Sequence, residues 1–179
     1  SVDKLSLKAG ESGSRQNLIV AEQPTTLPAE FSDLTSDDAI LDLSGVQGSV
    51  EFYTDDHAIG TSYNDIIITD SADVIVSGGD GDDIIGFTQN WTDGFFNPDF
   101  GKFYGGAGSD TFYMGLTSYG HTVHLPDFNP TEDYIILSPS ITGGGLTGYE
   151  INGNELTFTY HNLEINQDGK IILPDGLNL

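Results

Sequence analysis

Residues 78–86 and 105–113 read Gly-Gly-Asp-Gly-Asp-Asp-Ile-Ile-Gly and Gly-Gly-Ala-Gly-Ser-Asp-Thr-Phe-Tyr, two copies of the nine-residue pattern G-G-x-G-x-D-x-U-x with U apolar. This pattern constrains the fold more than any other feature of the chain. Glycine reaches positive backbone angles at little cost, so the chain can turn tightly enough to aim several carbonyl oxygens at one spot. The aspartate adds charge at the same spot. Calcium takes six to eight oxygen ligands in flexible geometry, which suits a cage of loop carbonyls closed by carboxylates from stacked turns. The apolar residue two places after the aspartate, Ile85 or Phe112, falls on a short strand where its side chain points into a narrow core.

Two weaker rows precede the complete ones. Gly60-Thr61-Ser62-Tyr63-Asn64-Asp65-Ile66-Ile67-Ile68 keeps the first glycine, the aspartate and the apolar position, and Ser71-Ala72-Asp73-Val74-Ile75-Val76 keeps the second half. Asp65 and Asp83 are eighteen residues apart, two full rows, so in a flattened parallel coil with two strands per turn they stack one above the other. Asp110 lies twenty-seven residues after Asp83, three rows, which places it on the opposite edge, over Asp73 if the intervening segment loops out. The candidate metal ligands are therefore the turn residues Gly60, Ser62, Asn64 and Asp65, then Asp73, then Gly78, Asp80, Gly81, Asp82 and Asp83, and finally Gly105, Ala107, Gly108 and Asp110. The ion they imply is Ca2+.

Residues 60–137 as a block resemble the RTX family, the secreted bacterial proteins with hemolysin-type calcium-binding repeats. The segment Val123-His124-Leu125-Pro126-Asp127-Phe128-Asn129-Pro130-Thr131-Glu132-Asp133-Tyr134-Ile135-Ile136-Leu137 is similar to the DFNPxxDxIxL segment that closes many RTX arrays, and adds Asp127 to the candidate ligands. The resemblance implies an all-β fold built on a right-handed parallel β-roll. It also implies type I export from a Gram-negative bacterium by an uncleaved C-terminal signal, with calcium-driven folding outside the cell. Only two rows are complete and residues 87–104 match no row, so few ions are expected.

Composition points the same way. Twenty-eight acidic residues against five basic ones give a formal charge of −23, and three of the bases, Lys4, Lys8 and Arg15, sit in the first fifteen residues. Such a field repels nucleic acid and anionic membranes and attracts divalent cations. There is no cysteine, which removes disulfides and thiolate metal sites. No apolar run approaches the roughly twenty residues that span a bilayer, so no transmembrane segment is expected. The chain starts at Ser1 without a signal-peptide pattern and reads as a monomeric module of a larger protein.

The chain divides into an irregular lead-in over 1–35, with one candidate strand at Asn17 to Ala21, capping strands over 36–59, a calcium-binding roll over 60–137 and a hairpin cap over 138–179. In the last, Asn-Gly-Asn and Gln-Asp-Gly turns separate short strand-like runs. Caps are needed because an open coil end exposes unpaired backbone and core side chains. The insert 87–104 carries seven aromatics, Phe87, Trp91, Phe95, Phe96, Phe100, Phe103 and Tyr104. Burial over one sheet, supplementing a thin core, is the favoured reading. The competing one is a glycan or cell-surface ligand site using Trp91, Phe95 and Phe96, whose flat faces would stack on sugars.

No catalytic constellation is evident. His121 and His124 are three apart in an expected strand and so point to opposite sides, while His57 and His161 are isolated from any zinc-ligand spacing. Three function classes remain: a calcium-dependent structural module, an adhesin or carbohydrate-binding domain supported by calcium, and part of a secreted hydrolase or polysaccharide-acting enzyme whose catalytic residues lie elsewhere. The module is the preferred reading, with no enzyme activity of its own.

Overall fold

The computed structural model describes residues 4–7, 28–32, 34, 40–69, 71, 73–87, 99–116, 122–139, 145–161 and 166–177. The Asn17 to Ala21 strand, His121 and the proposed glycan residues Trp91, Phe95 and Phe96 lie outside them. Among the described residues the fold is all-β, with two sheets and a single 3-10 turn at Ala29–Phe31. The first sheet has the order β1 (Lys4–Leu7), β3 (Ser49–Thr54), β5 (Ile66–Thr69), β7 (Ile84–Phe87), β9 (Thr111–Leu116) and β11 (Tyr134–Pro139). The second runs β12 (Gly145–Asn152), β13 (Glu155–His161), β14 (Asn166–Ile172), β10 (Thr122–His124), β8 (Asp99–Ala107), β6 (Val74–Asp80), β4 (His57–Ile59) and β2 (Ile40–Asp42).

From β2 to β11 successive strands alternate between the sheets, and within the coil each pairs in parallel with the strand two further on. Runs such as Ile66-Ile67-Ile68-Thr69 and Val74-Ile75-Val76 suit this because β-branched side chains are stiff and pack well on a pleated surface. Register puts chemically similar residues in line. Phe52, Ile67, Ile85, Phe112 and Ile135 form one inward ladder in the first sheet, facing Ala58, Val76 and Phe103 in the second. Ile67, Ile85, Phe103 and Phe112 are wholly buried, each contributing roughly 1.5–3 kcal/mol relative to exposure.

Among its described residues the lead-in is held at two places, and the expectation of an irregular segment is corrected at Lys4–Leu7, which pairs with β3. Phe31 packs with Ile59 and Ile75 on the outer face of the second sheet, flanked by Leu34, Ile40 and Tyr104. At the other end β12, β13 and β14 form an antiparallel meander that joins the second sheet through parallel β10–β14 pairing. Phe158 and Ile171 from this meander enter the main core, so it closes the end of the coil.

The described part of the Phe87 to Tyr104 region is strand. Residues 99–104 are the first part of β8, with Phe103 in the core ladder and Tyr104 against the Phe31 cluster. Phe87 is also buried. For these three aromatics the structure gives the core role.

Candidate metal centre

Three glycine-rich turns stack on one edge of the coil, joining β4 to β5, β6 to β7 and β8 to β9. Strand pairing sets Gly79 beside Gly106 and Asp80 beside Ala107. The amide of Gly60 donates to Ser77 O at 2.8 Å and that of Gly81 to Ala107 O at 2.7 Å. Gly81 and Gly108 hold matching left-handed angles, φ 121° and 140°, and a side chain on either would run into the backbone of the turn beneath. The glycines are thus required by backbone conformation and by the closeness of the rows together.

The aspartates form a ladder along this edge. The backbone amide of Val50 donates to Asp65 Oδ1 at 2.8 Å, that of Asp65 to Asp83 Oδ1 at 2.7 Å, that of Asp83 to Asp110 Oδ1 at 2.9 Å, and that of Asp110 to Asp133 Oδ1 at 3.0 Å. Each carboxylate is tied to the row before it. A second ladder runs one residue earlier, where Asn64 Oδ1 accepts from the Asp82 amide at 3.1 Å and Asp82 Oδ1 from the Ser109 amide at 2.9 Å.

Asp65 and Asp83 stack as their eighteen-residue spacing predicts. The expectation for Asp110 is corrected: it stacks directly on Asp83, on the same edge, and Asp73 lies on the far edge between β5 and β6. Register supplies the reason. Gly101 pairs with Val74 and Thr111 with Ile84, each twenty-seven residues on, so this coil takes nine residues more than the eighteen between Ile66 and Ile84 and still returns to the same edge. Asp73 has a positive φ of 60°, a turn conformation that aspartate tolerates better than most residues.

The two ends of the aspartate ladder are satisfied by protein donors and the middle is not. Asp65 Oδ2 accepts from the Thr61 amide at 2.6 Å, and Oδ1 also accepts from Thr61 Oγ1 at 3.0 Å. Asp133 Oδ2 accepts from the Asn129 amide at 2.8 Å. Asp127 spends both oxygens on the amides of Gly105 and Gly106, at 3.1 and 2.9 Å. Asp83 and Asp110 are each 1% exposed, and their Oδ2 atoms are buried with no hydrogen-bond partner. An ionised carboxylate oxygen left without a donor away from water is costly, so this pair favours either protonation or a facing cation.

Electrostatics agree with the geometry. Burial pushes the Asp83 carboxyl up to about 8, with the neighbouring Asp65, Asp110 and Asp82 charges adding to the rise and the hydrogen bond from Asp65 opposing it. Asp110 is raised to about 6, again chiefly by burial, with Asp133, Asp127 and Asp82 contributing. Asp65 and Asp127 are also raised by burial.

The orphan oxygens pack closely against glycines that open the turns. A Cβ on Gly78 would collide with Asp83 Oδ2 and lie 2.7 Å from the carbonyl oxygen of Gly105, so those two oxygens converge there. A Cβ on Gly105 would likewise strike Asp110 Oδ2. Among the described residues no three His, Asp or Glu side chains gather where they could together hold a metal ion. Ser62 and Asp80 are exposed at the turn surface, away from the buried carboxylate pair. Thr61 and Asp133, which take part in the ladder, are not among the ligands expected from sequence. The eighteen-residue coil period does not reach Asp133, because the closing turn is longer by several residues than the glycine-rich ones.

Among the described residues no helix is long and apolar enough to cross a membrane. In comparisons with known proteins, this chain matches no family model and no curated protein.

Proposed function

We propose that this chain is a calcium-binding β-roll module of the RTX type, whose parallel coil becomes stable when Ca2+ neutralises the stacked turns. One observation carries the reading: the buried, donor-less Oδ2 atoms of Asp83 and Asp110, each set against a row glycine. Bound calcium would supply a positive charge that these two carboxylates otherwise lack. The chain's own part is to hold the aspartates in line through their Oδ1 hydrogen bonds and to let carbonyls approach through residues without side chains. Asp65 and Asp133, already satisfied by amides, close the ladder at its two ends. Affinity is expected on the order of 10⁻⁴ to 10⁻³ M, as in other extracellular modules. With the charge of −23, this fits a secreted module that folds on meeting extracellular calcium and stabilises or aids export of a larger bacterial protein.

The test is far-UV circular dichroism after EDTA treatment, titrated with calcium and in parallel with magnesium. A calcium-selective gain of β signal at millimolar concentration is expected. A spectrum already complete in EDTA and unchanged by calcium would refute coupled folding.

A further inference from the structure

The outer face of the first sheet is apolar where a water-facing sheet side is ordinarily polar. Phe52, Ile67, Ile85, Phe112 and Ile135 point inward, so the residues flanking them on each strand point out. Register aligns these in two rows across five strands, Glu51-Ile66-Ile84-Thr111-Tyr134 and Tyr53-Ile68-Gly86-Tyr113-Ile136. Seven of the ten are isoleucine or tyrosine, and Glu51 alone is charged. Tyr53, Tyr134, Ile84 and Ile136 are 56%, 63%, 39% and 47% exposed. A contiguous apolar surface of this kind marks a binding face.

Its contour and border are also set by the coil. Gly86 has no side chain, and one there would strike the Tyr113 backbone, so the second row stays low between Tyr53 and Tyr113. Just before the strands begin the chain turns polar. Asn64 Oδ1 accepts from the Asp82 amide, Asp82 Oδ1 from the Ser109 amide, and Ser109 Oγ donates to the Glu132 carbonyl. The apolar rows are therefore bordered by a line of amide, carboxylate and hydroxyl groups.

Size and charge decide what such a face can take. Ten positions are fewer than half of the roughly 20–30 residues that each partner gives to a stable protein complex. A second copy brings another charge of −23, and a polyanion meets the same repulsion. A polycation finds only Glu51 on the face itself. A neutral glycan meets none of these objections. Its sugar rings have flat C–H faces that lie on tyrosine and isoleucine, and hydroxyl edges that hydrogen-bond to a polar border. Neighbouring strands are about 4.8 Å apart, close to the advance of one sugar along an extended β-1,4-linked chain, so five strands match about five sugars.

We propose that the outer face of the first sheet binds a neutral, extended β-1,4-linked polysaccharide laid across the strands, with Tyr53 at one end and Tyr113 and Tyr134 at the other. The site is distinct from the aromatic insert and from the buried Asp83 and Asp110 carboxylates. It requires the turns only because they keep the coil folded.

Calorimetric titration of the chain in millimolar calcium, with folding checked by circular dichroism, tests the proposal. The probes are β-1,4-linked glucose and mannose oligosaccharides of three and of six sugars. Saturable binding of at least one hexasaccharide is expected, with its trisaccharide at least tenfold weaker. Tyr53→Ala combined with Tyr134→Ala should weaken the hexasaccharide at least tenfold, while Tyr149→Ala, exposed on the second sheet, should leave it unchanged. Failure to bind either series would overturn the proposal, as would affinity indifferent to chain length. Binding that survives the tyrosine substitutions but is lost in Trp91→Ala would assign the glycan to the insert instead. A dimer abolished by the tyrosine substitutions, in a chain that binds no sugar, would make the face a contact between copies and equally refute it.

Discussion

Gly78 shows how a single missing side chain sets the chemistry of the turn. A methyl group there would displace Asp83 Oδ2 and crowd the Gly105 carbonyl at 2.7 Å, so Gly78→Ala should cost roughly 1–3 kcal/mol and abolish the calcium response. Gly148→Ala, with nothing within 4 Å of the added carbon, should change neither by more than about 0.5 kcal/mol. Denaturant unfolding in the presence of calcium separates the two. The same residues fix a pH dependence. Because the Asp83 and Asp110 carboxyls are raised, to about 8 and about 6, the calcium-free fold prefers them protonated. Their favourable contribution is present below the unfolded carboxylate value of about 4 and is lost as pH rises toward 8. Calorimetry in EDTA should therefore give a higher Tm at pH 5 than at pH 8, and calcium should bind more tightly over the same rise as protons leave. A calcium-free Tm that climbs from pH 5 to 8 would contradict this.

At the scale of elements, the inward ladder holds the coil together. Ile85→Ala should cost about 2–5 kcal/mol and Phe112→Ala about 3–5, the latter also losing the tilted ring contact with Phe128 at 6.1 Å. Tyr134→Ala, on a residue 63% exposed, should cost less than 1 kcal/mol by the same measurement. Much of this was legible in the sequence. The nine-residue rows identify Ile85 and Phe112 as core, the eighteen-residue spacing predicts the Asp65–Asp83 stack, and the short runs after residue 138 announce the hairpins. What failed was counting in nines across residues 87–104, because the connection between two strands can take any length without disturbing the register of the strands it joins. Asp110 was misplaced for that reason. Phe31 and Asp133 were missed because their roles depend on contacts distant in sequence, with no local pattern to mark them.

For the whole molecule, the balance lies between a thin core and a strongly negative charge. Burying the Asp83 carboxyl at pH 7, where its rise to about 8 leaves it mainly protonated, costs on the order of 4 kcal/mol, a large share of the 5–15 kcal/mol typical of a domain. A cation that binds only the folded chain returns RT ln(1 + [L]/Kd), about 1.4 kcal/mol per site at ten times Kd. Stability should thus depend on calcium far more than on ionic strength. The most direct test of this account is the Tm of Asp83→Asn beside that of the unsubstituted chain, each in EDTA and in millimolar calcium at pH 7.5. The amide keeps the oxygen that accepts from Asp65 and removes the buried charge. The account predicts a reversal, with the variant melting higher than the original in EDTA and lower in calcium. A variant that melts lower in both conditions, or an original chain whose Tm calcium does not move, would contradict it.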